Sequence, residues 1–317
     1  MVELDGEDAG LFASALDIRA SDTVVRGLAI NRFSSGVVVC CDGVEGVRLE
    51  GNFIGTDPSG TQDLGNGTAG VHILGASRNT VGGATPAARN LISGNGRDGV
   101  GVSLGSNNKV FGNLIGTKSD GKSVLGNADD GVDIWGASGT RVGSTSAASA
   151  NTLAFNGGDG VEVLGKEGAG NRVLRNSTYS NSGLGIDLVI DEGPNGQVGD
   201  GPTKNDGAGD ADAGPNGLQN KPVLASAVTS GGKTTIKGKL LSASKKAYVV
   251  RFYVNPKGTD EGKKYVGQKK VTTDGAGKAT LSFTLARKVR PGKVITATAT
   301  GLEGTSEFSA PRKVVSS

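Results

Sequence analysis

The sequence predicts an all-β chain: a right-handed parallel β-helix over residues 1–221, then an antiparallel β-sandwich over residues 222–317. Three observations carry that prediction. The phrase Gly-Val-x-(Ile/Val) recurs from residue 36 to residue 163, at steps of 34, 29, 32 and 29 residues between its glycines. The composition is rich in Gly, with 55 in 317 residues, yet only 4% aromatic and 35% hydrophobic, which suits many short strands and turns around a core of Val, Ile and Leu. The charge also divides: residues 1–221 carry 16 Lys and Arg against 26 Asp and Glu, whereas residues 222–317 carry 18 against five.

The repeat is built of three phrases per coil. The first comprises Gly36-Val37-Val38-Val39, Gly70-Val71-His72-Ile73, Gly99-Val100-Gly101-Val102, Gly131-Val132-Asp133-Ile134 and Gly160-Val161-Glu162-Val163, with a relative at Gly185-Ile186-Asp187-Leu188. The second runs through Val47-Arg48-Leu49, Asn79-Thr80-Val81, Lys109-Val110-Phe111, Arg141-Val142 and Arg172-Val173. The third is Asn52-Phe53-Ile54, Asn90-Leu91-Ile92, Asn113-Leu114-Ile115 and Asn151-Thr152-Leu153. Apolar residues alternate with polar or small ones, which is strand periodicity. Gly and Asn between the phrases tolerate the positive φ of sharp corners. A single coil cannot bury its apolar face, so neighbours must stack on one continuous core. Asn52, Asn90, Asn113 and Asn151 recur at one corner and predict a hydrogen-bonded asparagine ladder. The stretch Asn52–Asn66 returns as Asn113–Asn127, so two coils make one longer repeat.

These phrases resemble the secreted bacterial right-handed parallel β-helix proteins of the pectate-lyase-like superfamily. The resemblance covers about residues 2–221 and is specific for fold. It implies a secreted or cell-surface protein that handles polysaccharide. Residues 189–221 leave the repeat for a polar linker rich in Asp and Gly. Beyond Pro222 the strands lengthen, as in Ala247–Val254, Ala279–Leu285 and Val294–Thr300, with turn pairs at Asp274-Gly275 and Pro291-Gly292. This part is similar to the immunoglobulin-like module that often follows such a β-helix.

No run of about 20 apolar residues is present to span a membrane. Met1 is followed by sequence that already reads as repeat, so a natural N-terminus and signal peptide are expected to be absent. Cys40 and Cys41 are adjacent, and ring strain argues against a bridge between neighbours.

The chemistry-bearing residues fall on the first phrase. If Val132 and Ile134 point inward, Asp133 and Trp135 point outward. The same outward position holds His72, Gly101, Asp133, Glu162 and Asp187 in successive coils, about 4.8 Å apart. Asp98, Asp130 and Asp159 occupy the corner before the strand. Clustered carboxylates raise one another's pKa and can work as acid and base or share a cation. Asp-Gly is equally the turn pair expected at a solenoid corner. Trp135, the sole tryptophan, offers a flat platform for a sugar face. The run Asn127–Asp133 is similar to the Asn-Thr-Asp-Gly-x-Asp motif of polygalacturonase-type hydrolases, which implies catalytic roles for Asp130 and Asp133, with Asp159 and Glu162 beside them. The chain departs from that family: Gly158-Asp159 stands where Asp-Asp is required, and no Gly-His-Gly or Arg-Ile-Lys follows. The arginine signature of pectate lyases is absent too.

Calcium is expected in the linker, where Asp206, Asp210, Asp212 and Asn216 supply hard oxygen ligands at short spacing, although no bidentate Glu follows. The basic C-terminal part invites contact with an anionic polymer, and no motif points to specific nucleic-acid recognition. The leading functional expectation is polysaccharide recognition, with His72, Asp98, Trp135 and Asp187 as binding residues. The alternatives are a structural or adhesive segment of a larger surface protein, and a hydrolase or lyase using the carboxylate cluster.

Overall fold

The computed structural model describes residues 1–165, 168–190 and 201–317. Residues 191–200 of the expected linker therefore lie outside the described residues. The chain is all-β, and its first part is the predicted right-handed parallel β-helix. Three sheets run along it. The first stacks Val2–Asp5, Leu28–Asn31, Phe53–Ile54, Leu91–Ile92, Leu114–Ile115, Thr152–Ala154 and Ser177–Tyr179. The second stacks Ser14–Ile18, Ser35–Cys40, Val71–Leu74, Val100–Ser103, Val132–Trp135, Val161–Leu164 and Asp187–Val189. The third runs from Val24–Arg26 to Arg172–Val173. The inward rows are aliphatic: Val37, Val71, Val100, Val132 and Val161 stack on one another, as do Val39, Ile73, Val102, Ile134, Val163 and Leu188. Each such side chain contributes about 1.5–3 kcal/mol on burial.

The recurring glycine ahead of the second-sheet strand has a packing reason. Its φ is not in the left-handed region. A Cβ on Gly99, Gly131 or Gly160 would lie 2.7 Å from the carbonyl oxygen of the equivalent glycine in the next coil. Only a residue without a side chain lets the coils approach that closely.

The predicted asparagine ladder is present. The backbone N–H and side-chain amide of Asn52 both donate to Asn90 Oδ1, Asn90 donates likewise to Asn113, and Asn113 to Asn151, at 2.9–3.2 Å. It continues to Asn176. A second ladder, Asn66–Asn95–Asn127–Asn156–Asn181, runs along another corner. Buried corner N–H groups and carbonyls are thereby paired.

The C-terminal part joins seven strands in the order Lys264–Thr272, Ala247–Asn255, Val294–Thr300, Arg312–Ser316, Val223–Ser230, Lys233–Leu241, Lys278–Leu285. It differs from a purely antiparallel sandwich in one respect. Arg312–Ser316 pairs antiparallel with Val294–Ile295 at its start and parallel with Ala227–Thr229 at its end. By switching partners the last strand links the two halves and removes two sheet edges. Phe252 and Phe283 stack in its core with ring centroids 4.7 Å apart.

This part also closes the end of the solenoid. Thr178 and Gly262 exchange backbone hydrogen bonds at 3.1 Å, Thr305 donates to the Asn171 carbonyl, and the Tyr253 hydroxyl accepts from Arg175 N–H. The second ladder ends on Glu261, whose Oε1 accepts from both donors of Asn181. A third ladder, in which Asn79 accepts from Val47 N–H, Asn108 from Asn79 N–H and Asn171 from Thr140 N–H, ends on Asn216, which accepts from Asn171 N–H and donates to the Asn171 and Thr305 carbonyls. An open stack would otherwise leave these groups unpaired.

One expectation is corrected. Cys40 and Cys41 are joined by a disulfide. In a strand their side chains would diverge, but Cys41 lies at the corner with φ +94°, which turns both sulfurs to the same side.

Candidate functional site

The outward face of the second sheet carries two parallel rows, set by register. One row is Val38, His72, Gly101, Asp133, Glu162 and Asp187. The other is Cys40, Leu74, Ser103, Trp135, Leu164 and Val189. The corner preceding the strand adds Arg97, Asp98, Asp129 and Asp130. The middle of both rows, from His72 to Glu162 and from Leu74 to Leu164, forms with these corner residues a cleft of about 380 Å³ with an apolar wall of Leu74, Trp135 and Leu164, and an acidic wall opposite. Trp135 is 40% exposed, so much of its ring is available to a ligand. Gly101 leaves a gap in the first row. The His72 ring leans over it, and His72 Nε2 lies 3.0 Å from Ser103 Oγ.

The structure separates two kinds of carboxyl. Asp98, Asp130 and Asp159 form a ladder of their own: Asp98 Oδ1 accepts from Asp130 N–H at 3.2 Å, Asp130 Oδ1 from Asp159 N–H, and Asp159 Oδ1 from Leu184 N–H. These corner aspartates do for the coil stack what the asparagines do elsewhere. Asp133 and Glu162 are different. They sit on adjacent strands in register, and Asp133 Oδ1 and Glu162 Oε1 are buried without a hydrogen-bond partner among the described residues. An oxygen of each of Asp98, Asp129 and Asp130 falls within 4.8 Å of the others.

Burial is the leading cause of the shifts at Asp98, Asp130, Asp133, Asp159 and Glu162, and neighbouring negative charge adds to it. It pushes Asp130 up to about 9, with Glu162 the next cause. It pushes Glu162 up to about 8, with Asp133 next. Asp133 is raised well above the usual carboxyl range, Asp98 is raised, and Asp159 is raised to about 6. His72 is lowered by burial and by the charge on Arg97, so its imidazole is neutral at pH 7. Asp130 and Glu162 thus hold their protons at pH 7, and a protonated carboxyl can both donate and accept hydrogen bonds.

Of the residues singled out from the sequence, His72, Asp98, Asp130, Asp133, Trp135 and Glu162 share this cleft. Asp159 and Asp187 line a neighbouring hollow of about 640 Å³, with Ser180, Asp260 and Glu261. Sequence reasoning missed Arg97 and Asp129. Each stands beside a corner Asp-Gly pair, and that adjacency is the only signal the sequence offers.

The linker residues divide as well. Oxygens of Asp206, Asp210 and Asp212 lie within 4.8 Å of one another, which fits a hard cation. Asp210 already accepts from Asn220 N–H, Gln219 and Ser242, and Asp206 from Asn220 and Ala211 N–H, whereas Asp212 Oδ1 has no partner among the described residues. Asn216 does not join them. Its amide is taken by the ladder end described above.

No family model matches the chain, and no match is found among curated proteins. Among solved structures the chain is similar to the enzymatically active domain of tailspike protein 2 of Bacteriophage CBA120, at 12% identity over 91% of this chain and 63% of that one, with a TM-score of 0.28. It is also similar to the corresponding domain of tailspike protein 4 of the same phage, at 11% identity over 90% of this chain and 55% of that one, with a TM-score of 0.20. The chain spans less than two thirds of the length of either.

Proposed function

We propose that the second-sheet cleft binds a polysaccharide, with Trp135 as the platform and Asp133 and Glu162 as the polar anchors. The observation that carries this reading is the pair of partnerless oxygens, Asp133 Oδ1 and Glu162 Oε1, beside a half-exposed indole. A buried polar atom without a partner costs about 1–3 kcal/mol. Sugar hydroxyls entering the cleft would supply the missing bonds, and an apolar sugar face would cover the ring. The Cys40–Cys41 disulfide supports an extracytoplasmic setting for such a protein. We take residues 222–317 as an immunoglobulin-like module that closes the solenoid.

Trp135 is the only tryptophan, so its fluorescence reports on this cleft alone. Titration with neutral and uronate polysaccharides should give a saturable change for the cognate polymer. Trp135→Ala and Asp133→Asn should each weaken binding, measured by calorimetry, at least about tenfold, or ~1.4 kcal/mol. If no polymer in a broad panel alters the emission or gives heat, the reading is lost.

Glycoside cleavage is a second reading, favoured by Glu162 holding its proton near pH 7, as a general acid must. Product release from the bound polymer, abolished in Glu162→Gln at polymer concentrations that still saturate the variant, would establish it.

Calcium in the linker is a further proposal, on Asp206, Asp210 and Asp212. The melting temperature should then rise by a few degrees in millimolar calcium relative to chelator, and Asp212→Asn should remove the difference. Equal melting temperatures in calcium and chelator would dispose of it.

A further inference from the structure

The acidic cleft is not the only charged recess. A groove of about 440 Å³ lies in the C-terminal part, between the end of strand Ala247–Asn255, the start of strand Lys264–Thr272, and the loop of residues 286–293. Six cations line it: Lys263, Lys264, Arg287, Lys288, Arg290 and Lys293. All six side chains are exposed, no acidic residue lines the groove, and none of the six enters an ion pair among the described residues. The floor is apolar, made by Val254, Pro256, Val266 and Val289. Lys263 Nζ also sits 3.8 Å from the centroid of the Tyr179 ring, so one end of the groove abuts the last coil of the solenoid.

Six like charges around one recess repel one another, and in water alone that arrangement lowers stability. An anion in the groove reverses the sign of the effect. Scattered lysines that merely guard a sheet edge do not need to converge on an apolar floor from three segments. Arg287 and Arg290 present planar forks suited to carboxylate or sulfate. Among the described residues no aromatic ring lines the groove, so bases of a single-stranded nucleic acid have nothing to stack on. A sugar chain, in contrast, can lay ring C–H groups on the valine floor while its acidic groups face the surrounding cations.

We infer that this groove binds an anionic polysaccharide chain through its carboxylate or sulfate groups. This is a second glycan site, separate from the Trp135 cleft and independent of the proposal made for it. Binding should be ionic, and so should weaken steeply as salt rises.

The test is calorimetric binding of heparin, polygalacturonate and a DNA duplex to the full chain at fixed ionic strength. Two triple variants are compared with the unaltered protein. One carries Arg287→Ala, Arg290→Ala and Lys293→Ala in the groove. The other removes the same charge elsewhere, by Lys233→Ala, Lys237→Ala and Lys239→Ala on an exposed strand face. The groove variant should lose at least tenfold in affinity for the acidic polysaccharide, and the control variant less than threefold. Circular dichroism and melting curves establish that both variants are folded. Equal losses in the two triple variants would reduce the effect to diffuse surface charge and overturn the inference. So would tighter binding of the DNA duplex, or no binding of either polysaccharide.

Discussion

The protein should melt at a higher temperature at pH 5 than at pH 8, the reverse of the usual dependence. Asp130, Glu162, Glu261 and Asp159 are held up to about 9, 8, 7 and 6 respectively, in each case chiefly by burial. In the unfolded chain these carboxyls ionise near pH 4. Between those values the folded state keeps protons that the unfolded state has lost. Stability therefore is fully present below about pH 4 and falls as pH rises through the folded-state values. Each group contributes a slope of up to about 1.4 kcal/mol per pH unit while it is protonated only in the fold. Melting curves from pH 4.5 to 9 measure the effect. Glu162→Gln should flatten the upper part of the profile, because a neutral amide carries no such penalty. A profile that rises toward pH 8 would mean that these carboxyls are ionised in the fold, paired with a cation or a ligand.

Asn113→Ala should cost about 4 kcal/mol of stability. The Asn113 side chain is fully buried. Its Oδ1 accepts from Asn90 N–H and Asn90 Nδ2, while its Nδ2 donates to the Val81 carbonyl and to Asn151 Oδ1. Truncation leaves two donors and a carbonyl of neighbouring coils without partners, at about 1–3 kcal/mol each, with partial relief from relaxation. Asn113→Asp keeps the acceptor but loses the donor, and faces Asn151 Oδ1 with like polarity, so it should be no better tolerated. Urea unfolding of both variants, against the exposed control Lys122→Ala, checks this. A change under 1 kcal/mol would show that water replaces the ladder at little cost.

Much of this site can be read in the sequence because a solenoid maps a linear repeat onto a spatial row. The outward row of His72, Gly101, Asp133, Glu162 and Asp187 follows from aligning the Gly-Val-x-Ile phrases, and strand register reproduces it residue for residue. The corner Asp-Gly pairs were equally visible, but their use was not. Whether Asp130 offers its carboxyl to a ligand or to Asp159 N–H depends on how the next coil closes, which a single phrase does not encode. The second ladder follows the same logic. Asn95 and Asn156 stand in loop sequence with little local pattern, and only stacking reveals them as rungs.

By itself the sequence determined the solenoid, its aliphatic core, the order of residues along each face, and the charge contrast with the C-terminal part. These depend on periodicity, on the pleat that sends alternate residues to opposite faces, and on the need of each coil for a neighbour. The tertiary structure decided which carboxyls are committed and which are left open in the cleft. It decided that Glu261 and Asn216 end two of the ladders, and that Cys41 turns back to bond Cys40. It also decided that six dispersed cations converge on one groove. Those outcomes rest on contacts between residues far apart in the chain or on the φ of a single corner, and local hydrophobic patterning carries no record of either.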